Sequence, residues 1–167
     1  VVTNDTYYVS DSQWSLKEGA GISIDKAWEF TKGSNEVVVG IIDSGIDSAH
    51  SDLVNRVDTE MSVDFSLDNP EELENVTDDD GHGTHVAGII GAQGNNSTGI
   101  SGINQNVKLV SLRINPSNYD TFASQLISAI DYAIKKEIPI LNNSNGTDNF
   151  SGKASSITAL EAELNNY

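Results

Sequence analysis

The 167-residue chain has no cysteine, which excludes a disulfide scaffold without fixing a compartment. Basic side chains are scarce. Nine Lys and Arg stand against 25 Asp and Glu, for a net charge of −16. So acidic a chain disfavours nucleic acid and anionic membrane as partners, and suits calcium or a salty exterior. No apolar run is long enough to span a bilayer. Internal repeats and low-complexity linkers are absent too. The length therefore points to one domain with room for a sizeable core.

What is present is organised around two stretches. Val37-Val38-Val39-Gly40-Ile41-Ile42 is an apolar run ending in Asp43-Ser44-Gly45, the pattern of a buried strand that carries a carboxylate to its tip. Asp78-Asp79-Asp80-Gly81-His82-Gly83-Thr84-His85 then leads into small and apolar residues at helical spacing, which places an imidazole at the mouth of a buried helix. An aspartate at a strand end and a histidine at a helix start are two members of a Ser-His-Asp arrangement. The carboxylate holds the imidazole in one tautomer and stabilises its protonated form. At a helix N-terminus, where the dipole opposes that cation, the carboxylate is needed all the more.

Taken in order, residues 1–22 read as a polar, irregular arm anchored by Tyr7, Tyr8, Trp14 and Leu16. A short helix is expected over 24–30, with Gly33 placed to end it. The central strand is predicted over 36–42, an edge strand over 61–65 and a solvated acidic loop over 66–80. A helix over 82–92, a strand over 108–114 and a long helix over 122–137 follow. That long helix is expected to be capped by Asp120 or Thr121, with Phe122, Leu126, Ile127, Ile130, Ala133 and Ile134 on its buried stripe. A strand over 138–141 comes next, then a last helix capped by Ser155 or Ser156, with Ile157, Leu160 and Leu164 on one face. Strands alternating with helices predict an α/β fold of three layers, a parallel sheet with helices on both faces. Sites in such sheets lie beyond the carboxyl ends of the strands, where Asp43 falls, and so does Asn142-Asn143-Ser144-Asn145-Gly146.

Ile41-Ile42-Asp43-Ser44-Gly45-Ile46-Asp47 and His82-Gly83-Thr84-His85-Val86-Ala87-Gly88 together resemble the first two signatures of the subtilisin-like serine proteases. The resemblance covers nearly the whole chain and implies an incomplete subtilisin-like fold. It implies a single truncated catalytic domain, 1–167, with its opening arm, 1–22, packed on the body. It makes Asp43 and His82 the catalytic pair, His82 as base and Asp43 as the carboxylate that orients it, and leaves His85 and His50 structural. Ser144, Asn145 and Gly146 become a wall of the substrate pocket, although family members usually carry leucine where Asn145 stands. Gln93-Gly94-Asn95-Asn96-Ser97-Thr98-Gly99-Ile100 is similar to the family's calcium loop, which implies Ca2+ bound by Asp52, Asn96 and the carbonyls of Thr98 and Ile100.

The Gly-Thr-Ser-Met-Ala-like run that carries the family's nucleophile has no counterpart in the sequence. The function implied is thus a serine endopeptidase acting on protein or peptide substrates, secreted or at the cell surface, in which this chain supplies Asp and His and is inactive by itself. The start at Val1 suits a mature or trimmed end. Inactivity would equally follow if the chain were a binding module that keeps the fold. The expected partner is a complementing C-terminal segment, or a second copy, meeting an open strand edge at Ile138, Ile140 and Leu141. Two rivals remain on residues alone. Ile42-Asp43-Ser44-Gly45 also resembles an aspartic-protease triplet, which expects a β-barrel-like fold. His82, His85 and the aspartates 78–80 could share a metal, without a further His or Cys to complete a zinc set.

Overall fold

The computed structural model describes residues 3–66, 76–115 and 119–145, together with the helical positions Ala162 and Asn165. Its centre is a four-stranded parallel sheet in the order β2-β3-β1-β4, formed by β1 (Val38–Asp43), β2 (Val63–Asp64), β3 (Lys108–Arg113) and β4 (Ile140–Asn143). β1 pairs with β3 from Val38 opposite Lys108 to Asp43 opposite Arg113, and with β4 from Val39 opposite Ile140 to Ile42 opposite Asn143. Asp43 and Asn143 therefore emerge at the same carboxyl edge.

The period-two alternation of β1 builds a core on each face. Ile42, with Val110 and Leu112 of β3, packs under the long helix α4 (Tyr119–Lys135) through Phe122, Leu126, Ala129, Ile130 and Ala133. Val39, Ile41 and Leu109 face the other way, against Ala87 of α3 (His82–Gly91) and Ile46 and Leu53 of the loop after β1. Helices thus cover both faces, as the alternation of elements predicts.

Several boundaries differ from the sequence reading. α4 begins at Tyr119, so Asp120 and Thr121 lie inside it rather than capping it. It stops because Glu137 turns left-handed (φ 54°) and Ile138 N–H reaches back to Ala133 O at 2.9 Å, a Schellman-type ending on a residue other than glycine. Its stripe also includes Ala123 and Ala129, while Ile127 and Ile134 are only partly buried. The strand expected over 138–141 runs instead over Ile140–Asn143, and Ile138 is buried in the α4 core. The opening arm is not irregular: it holds α1 (Thr6–Val9) and a 3-10 turn at Trp14–Leu16. Tyr8 and Leu16 anchor it against Ile24 and Trp28 of α2 (Ile24–Trp28), whereas Tyr7 and Trp14 are exposed. The last expected helix falls largely outside the described residues; Ala162 and Asn165 are helical and exposed.

Candidate functional site

β1 ends at Asp43 and α3 begins at His82, and two glycines let the ends meet. Gly81 has φ 94°, a left-handed turn that costs glycine little, and it aims the chain into α3. At Gly83 a Cβ would lie 2.1 Å from Gly45 O and 3.1 Å from Asp43 Cβ, so only a bare α-carbon lets the first turn of α3 rest on the tip of β1. His82 Nδ1 consequently sits 2.7 Å from Asp43 Oδ1. Ser44 N–H donates to the same oxygen at 2.8 Å. Among the described residues Asp43 Oδ2 is closed off with no donor. The carboxylate is 1% exposed and the imidazole 51% exposed. The hydrogen bond to Asp43, then its charge, raise the His82 pKa above the usual histidine value. The slight burial of the ring opposes this, and Asp80 and Asp78 add to the rise. With Nδ1 engaged, Nε2 is the nitrogen left for proton transfer.

The first N–H groups of α3 have no partner within the helix and must find acceptors elsewhere. His82 N–H donates to Asp80 Oδ1 at 3.2 Å, Gly83 N–H to Ser44 Oγ at 2.9 Å and Thr84 N–H to Asp78 Oδ2 at 2.9 Å. Asp78 also accepts Ser44 Oγ–H at 2.8 Å, Thr84 Oγ1–H at 2.6 Å and Gly81 N–H at 2.9 Å. Burial works against ionising Asp78, but the hydrogen bonds from Thr84, Gly81 and Ser44 outweigh it and hold the pKa at about 2. Sequence reasoning treated residues 66–80 as solvated surface and missed this. The available signal was an aspartate just ahead of an apolar helical pattern.

Arg113, paired with Asp43 in the sheet register, steadies the same edge. Its guanidinium donates to Ser44 O at 2.9 Å, Asp64 Oδ2 at 2.5 Å and Asp79 Oδ2 at 2.9 Å. It ties β2, β3 and the loop ahead of α3 to the residue after Asp43. Nothing in the sequence pattern marked it.

Of the expected substrate wall, Gly146 lies outside the described residues. Ser144 is exposed, and its Oγ accepts Asn142 Nδ2–H at 2.8 Å. Asn145 Nδ2 donates to Ile42 O at 2.6 Å, which fastens this loop one residue from Asp43. Its side chain thus ties β4 to β1 at the site. His50 and His85 line, with Tyr7, Asp52 and Ile100, a separate cavity of about 510 Å³ beside α3. Among the described residues no three His, Asp or Glu converge to hold a metal, which removes the histidine–aspartate metal alternative. The parallel sheet with α4 packed on it removes the aspartic-protease alternative, which needs a β-barrel-like fold.

The expected calcium ligands are brought together in part. Asp52, 2% exposed, accepts Asn96 Nδ2–H at 3.0 Å and Ile100 N–H at 2.9 Å. The opening arm reaches the same loop: Asp5, 0% exposed, accepts Asn95 N–H and Asn96 N–H at 2.9 Å and the hydroxyls of Thr3 and Ser101. Burial opposes the Asp5 charge, yet these donors lower its pKa and keep it ionised. Two buried carboxylates therefore bracket one short loop with no Lys or Arg paired to either among the described residues. An all-oxygen set of carboxylate, amide and carbonyls, such as Asp52, Asn96, Thr98 and Ile100 can offer, is of the kind calcium takes. The residues fit calcium on that ground.

The profile of the Subtilase family matches residues 34–167. The chain is 37% identical over 146 residues to a thermophilic serine proteinase of Bacillus sp. strain AK1, covering 87% of this chain and 34% of that protein. It is 32% identical over 155 residues to a cell wall-associated protease of Bacillus subtilis, covering 87% of this chain and 17% of the relative. The solved structure of a protease from Pseudoalteromonas arctica superposes with a TM-score of 0.71 at 24% identity, over 99% of this chain and 57% of that one. This last likeness speaks to the fold. The chain spans about a third or less of the length of these two sequence relatives.

Proposed function

As the chain belongs to the subtilase family, we propose that it supplies the acid–base half of a serine endopeptidase, with His82 as base and Asp43 as its orienting partner. The observation that carries this reading is the 2.7 Å contact between His82 Nδ1 and buried Asp43 at the carboxyl edge of the sheet. In such a mechanism His82 Nε2 takes the proton of a serine hydroxyl as it attacks the scissile carbonyl, then returns it to the leaving amine. Asp43 keeps Nδ1 protonated and offsets the imidazolium charge. The backbone beside Ser144, Asn145 and Gly146 receives an extended peptide. The turned-in amide of Asn145 makes that wall more polar than leucine would. Asp52, Asn96 and the carbonyls of Thr98 and Ile100 would hold calcium, which would supply a positive charge that fixes the loop. We place the protein outside the cell, in keeping with the cell wall-associated relative. A complementing segment that bears the nucleophile, or a second copy, pairs with β4.

The test grafts these residues in place of the matching segment of the thermophilic proteinase. The graft is expected to cleave a denatured protein and to react with a serine-directed phosphonate. His82→Ala should cost several orders of magnitude in kcat. The 167-residue chain by itself should do neither. A folded graft in which His82→Ala leaves turnover unchanged, or stoichiometric labelling and turnover by the isolated chain, overturns the proposal. A binding role without catalysis predicts a folded graft that holds peptide and never cleaves it.

A further inference from the structure

The chain has two arginines, and they are treated in opposite ways. Arg113 gives its guanidinium to Asp64, Asp79, Ser66 and the carbonyl of Ser44. Arg56 makes no side-chain hydrogen bond or ion pair among the described residues, and its Nε is closed to solvent without an acceptor. In a chain with 25 Asp and Glu, a half-buried arginine with no carboxylate in ion-pair contact among the described residues is out of keeping with the rest of the surface. Burial makes the charge costly there and pulls its pKa down.

The side chain is also not free to swing out with its loop. Leu109 N–H donates to Arg56 O at 2.8 Å, Asp58 N–H donates to Leu109 O at 2.8 Å, and Val57 bridges to Leu109. The backbone around Arg56 is in effect an added rung on β3. It lines a cavity of about 400 Å³ together with Asn35, Asn55, Asn106, Glu60 and Lys108. That volume lies within the usual range of small-ligand sites. Lys108 is engaged by Asp58 at 3.1 Å, so the cation left uncompensated in the wall is Arg56. Asn55 already gives Nδ2–H to Gln93, while the side-chain amides of Asn35 and Asn106 make no hydrogen bond among the described residues and offer neutral donors. The cavity sits where β3 begins at Lys108, whereas Asp43 lies at the far end of the six-residue β1, about 17 Å away at strand rise. It shares no residue with the His82 site.

We propose that this cavity is a binding site for a carboxylate-bearing ligand, gripped by the Arg56 guanidinium at the amino end of the sheet. A planar carboxylate matches the guanidinium fork with two parallel hydrogen bonds. Glu60 and Asp58 in the same wall oppose a dianion, which favours a single negative charge over phosphate. The ligand is either a small free acid or the carboxyl terminus of a peptide.

With only two arginines, the protein labelled with 15N at arginine gives two Nε–H signals, and Arg56→Gln assigns them. At constant ionic strength, acetate should move the Arg56 signal saturably and leave that of Arg113 in place, while chloride moves neither. N-acetyl-alanyl-alanine should bind at least as well as acetate if the source is a peptide end, and more weakly if it is a small acid. Its C-terminal amide should not bind in either case. Saturating carboxylate should also raise the Tm of the wild-type chain and leave that of Arg56→Gln unchanged. Absence of a saturable shift with both carboxylates overturns the proposal, and so does an equal shift with chloride. Saturation by inorganic phosphate alone overturns the carboxylate assignment. If Arg56→Gln does not fold, the wild-type titration against the acid and its amide decides alone.

Discussion

Ser44 donates its hydroxyl to Asp78 Oδ1 at 2.8 Å while accepting Gly83 N–H at 2.9 Å. One small side chain thus joins the tip of β1 to the mouth of α3. Asp78 is the hub of that junction, and it is the group whose charge the junction depends on. Because its folded pKa, about 2, lies below the ordinary 3.8, its contribution is fully present above pH 3.8 and is lost as pH falls toward 2. At about 1.4 kcal/mol per unit, the shift sets an upper bound of roughly 2 kcal/mol, less for solvent screening. Asp78→Asn should therefore destabilise the chain by about 1–2 kcal/mol at neutral pH and flatten its acid limb below pH 4. Urea titrations at pH 3 and pH 7 check this. A variant whose stability falls as steeply with acid as the wild type would place the effect elsewhere.

The Asp43–His82 contact carries a pH dependence of opposite sign. The His82 pKa is raised, so the stability it lends is fully present below the ordinary histidine value and is lost as pH rises through the folded value. Following the His82 ring protons by NMR, Asp43→Asn should bring the titration midpoint down toward that ordinary value. It should also weaken the preference for the Nδ1–H tautomer. An unchanged midpoint in Asp43→Asn would show that Asp80 and Asp78, rather than Asp43, set the proton affinity.

Calcium should act through the loop that Asp5 and Asp52 bracket. A ligand that binds only the folded chain at ~100 times its dissociation constant adds about 2.7 kcal/mol. The expected result is a higher Tm in millimolar calcium than in chelator, an increment that Asp52→Ala removes. The same increment in both proteins would move the calcium effect away from Asp52.

The legible parts of this molecule are those written as local patterns. An apolar run ending in Asp43, and a glycine-flanked His82 ahead of small residues, each name an element and the residue at its tip. The parallel sheet places both at one edge. What stayed hidden depends on partners distant in sequence. Asp78 looks like one charge in an acidic run until Ser44 and Thr84 come to it. Arg113 looks like a strand-end cation until Asp64 and Asp79 close on it. The two-residue slip of β4 has a local cause. Residue 138 completes the left-handed ending of α4 and is drawn into its core, so pairing with β1 starts only after Pro139.

That slip changes what the sheet edge offers. Among the described residues β4 pairs on one side only, with β1, so its other row of backbone donors and acceptors is unpaired. Ile138 is withdrawn into the core, leaving Ile140, 47% exposed, as the apolar residue on that edge, with Leu141 half-buried. An unpaired strand carrying an exposed β-branched residue is a template for another strand. Pro139 lies before the strand and blocks none of its rungs. Charges at the centre of such an edge discourage pairing, so Ile140→Lys isolates the contribution of the edge without touching either core. Light scattering should show the wild-type chain above monomer mass at micromolar concentration and Ile140→Lys at or near it, both retaining the same helical circular dichroism. A complementing peptide that pairs with β4 should bring the wild type to a one-to-one complex and bind Ile140→Lys more weakly. If the wild type runs as a monodisperse monomer, indifferent to the lysine and to such a peptide, β4 is a finished edge and the proposed pairing through it is wrong.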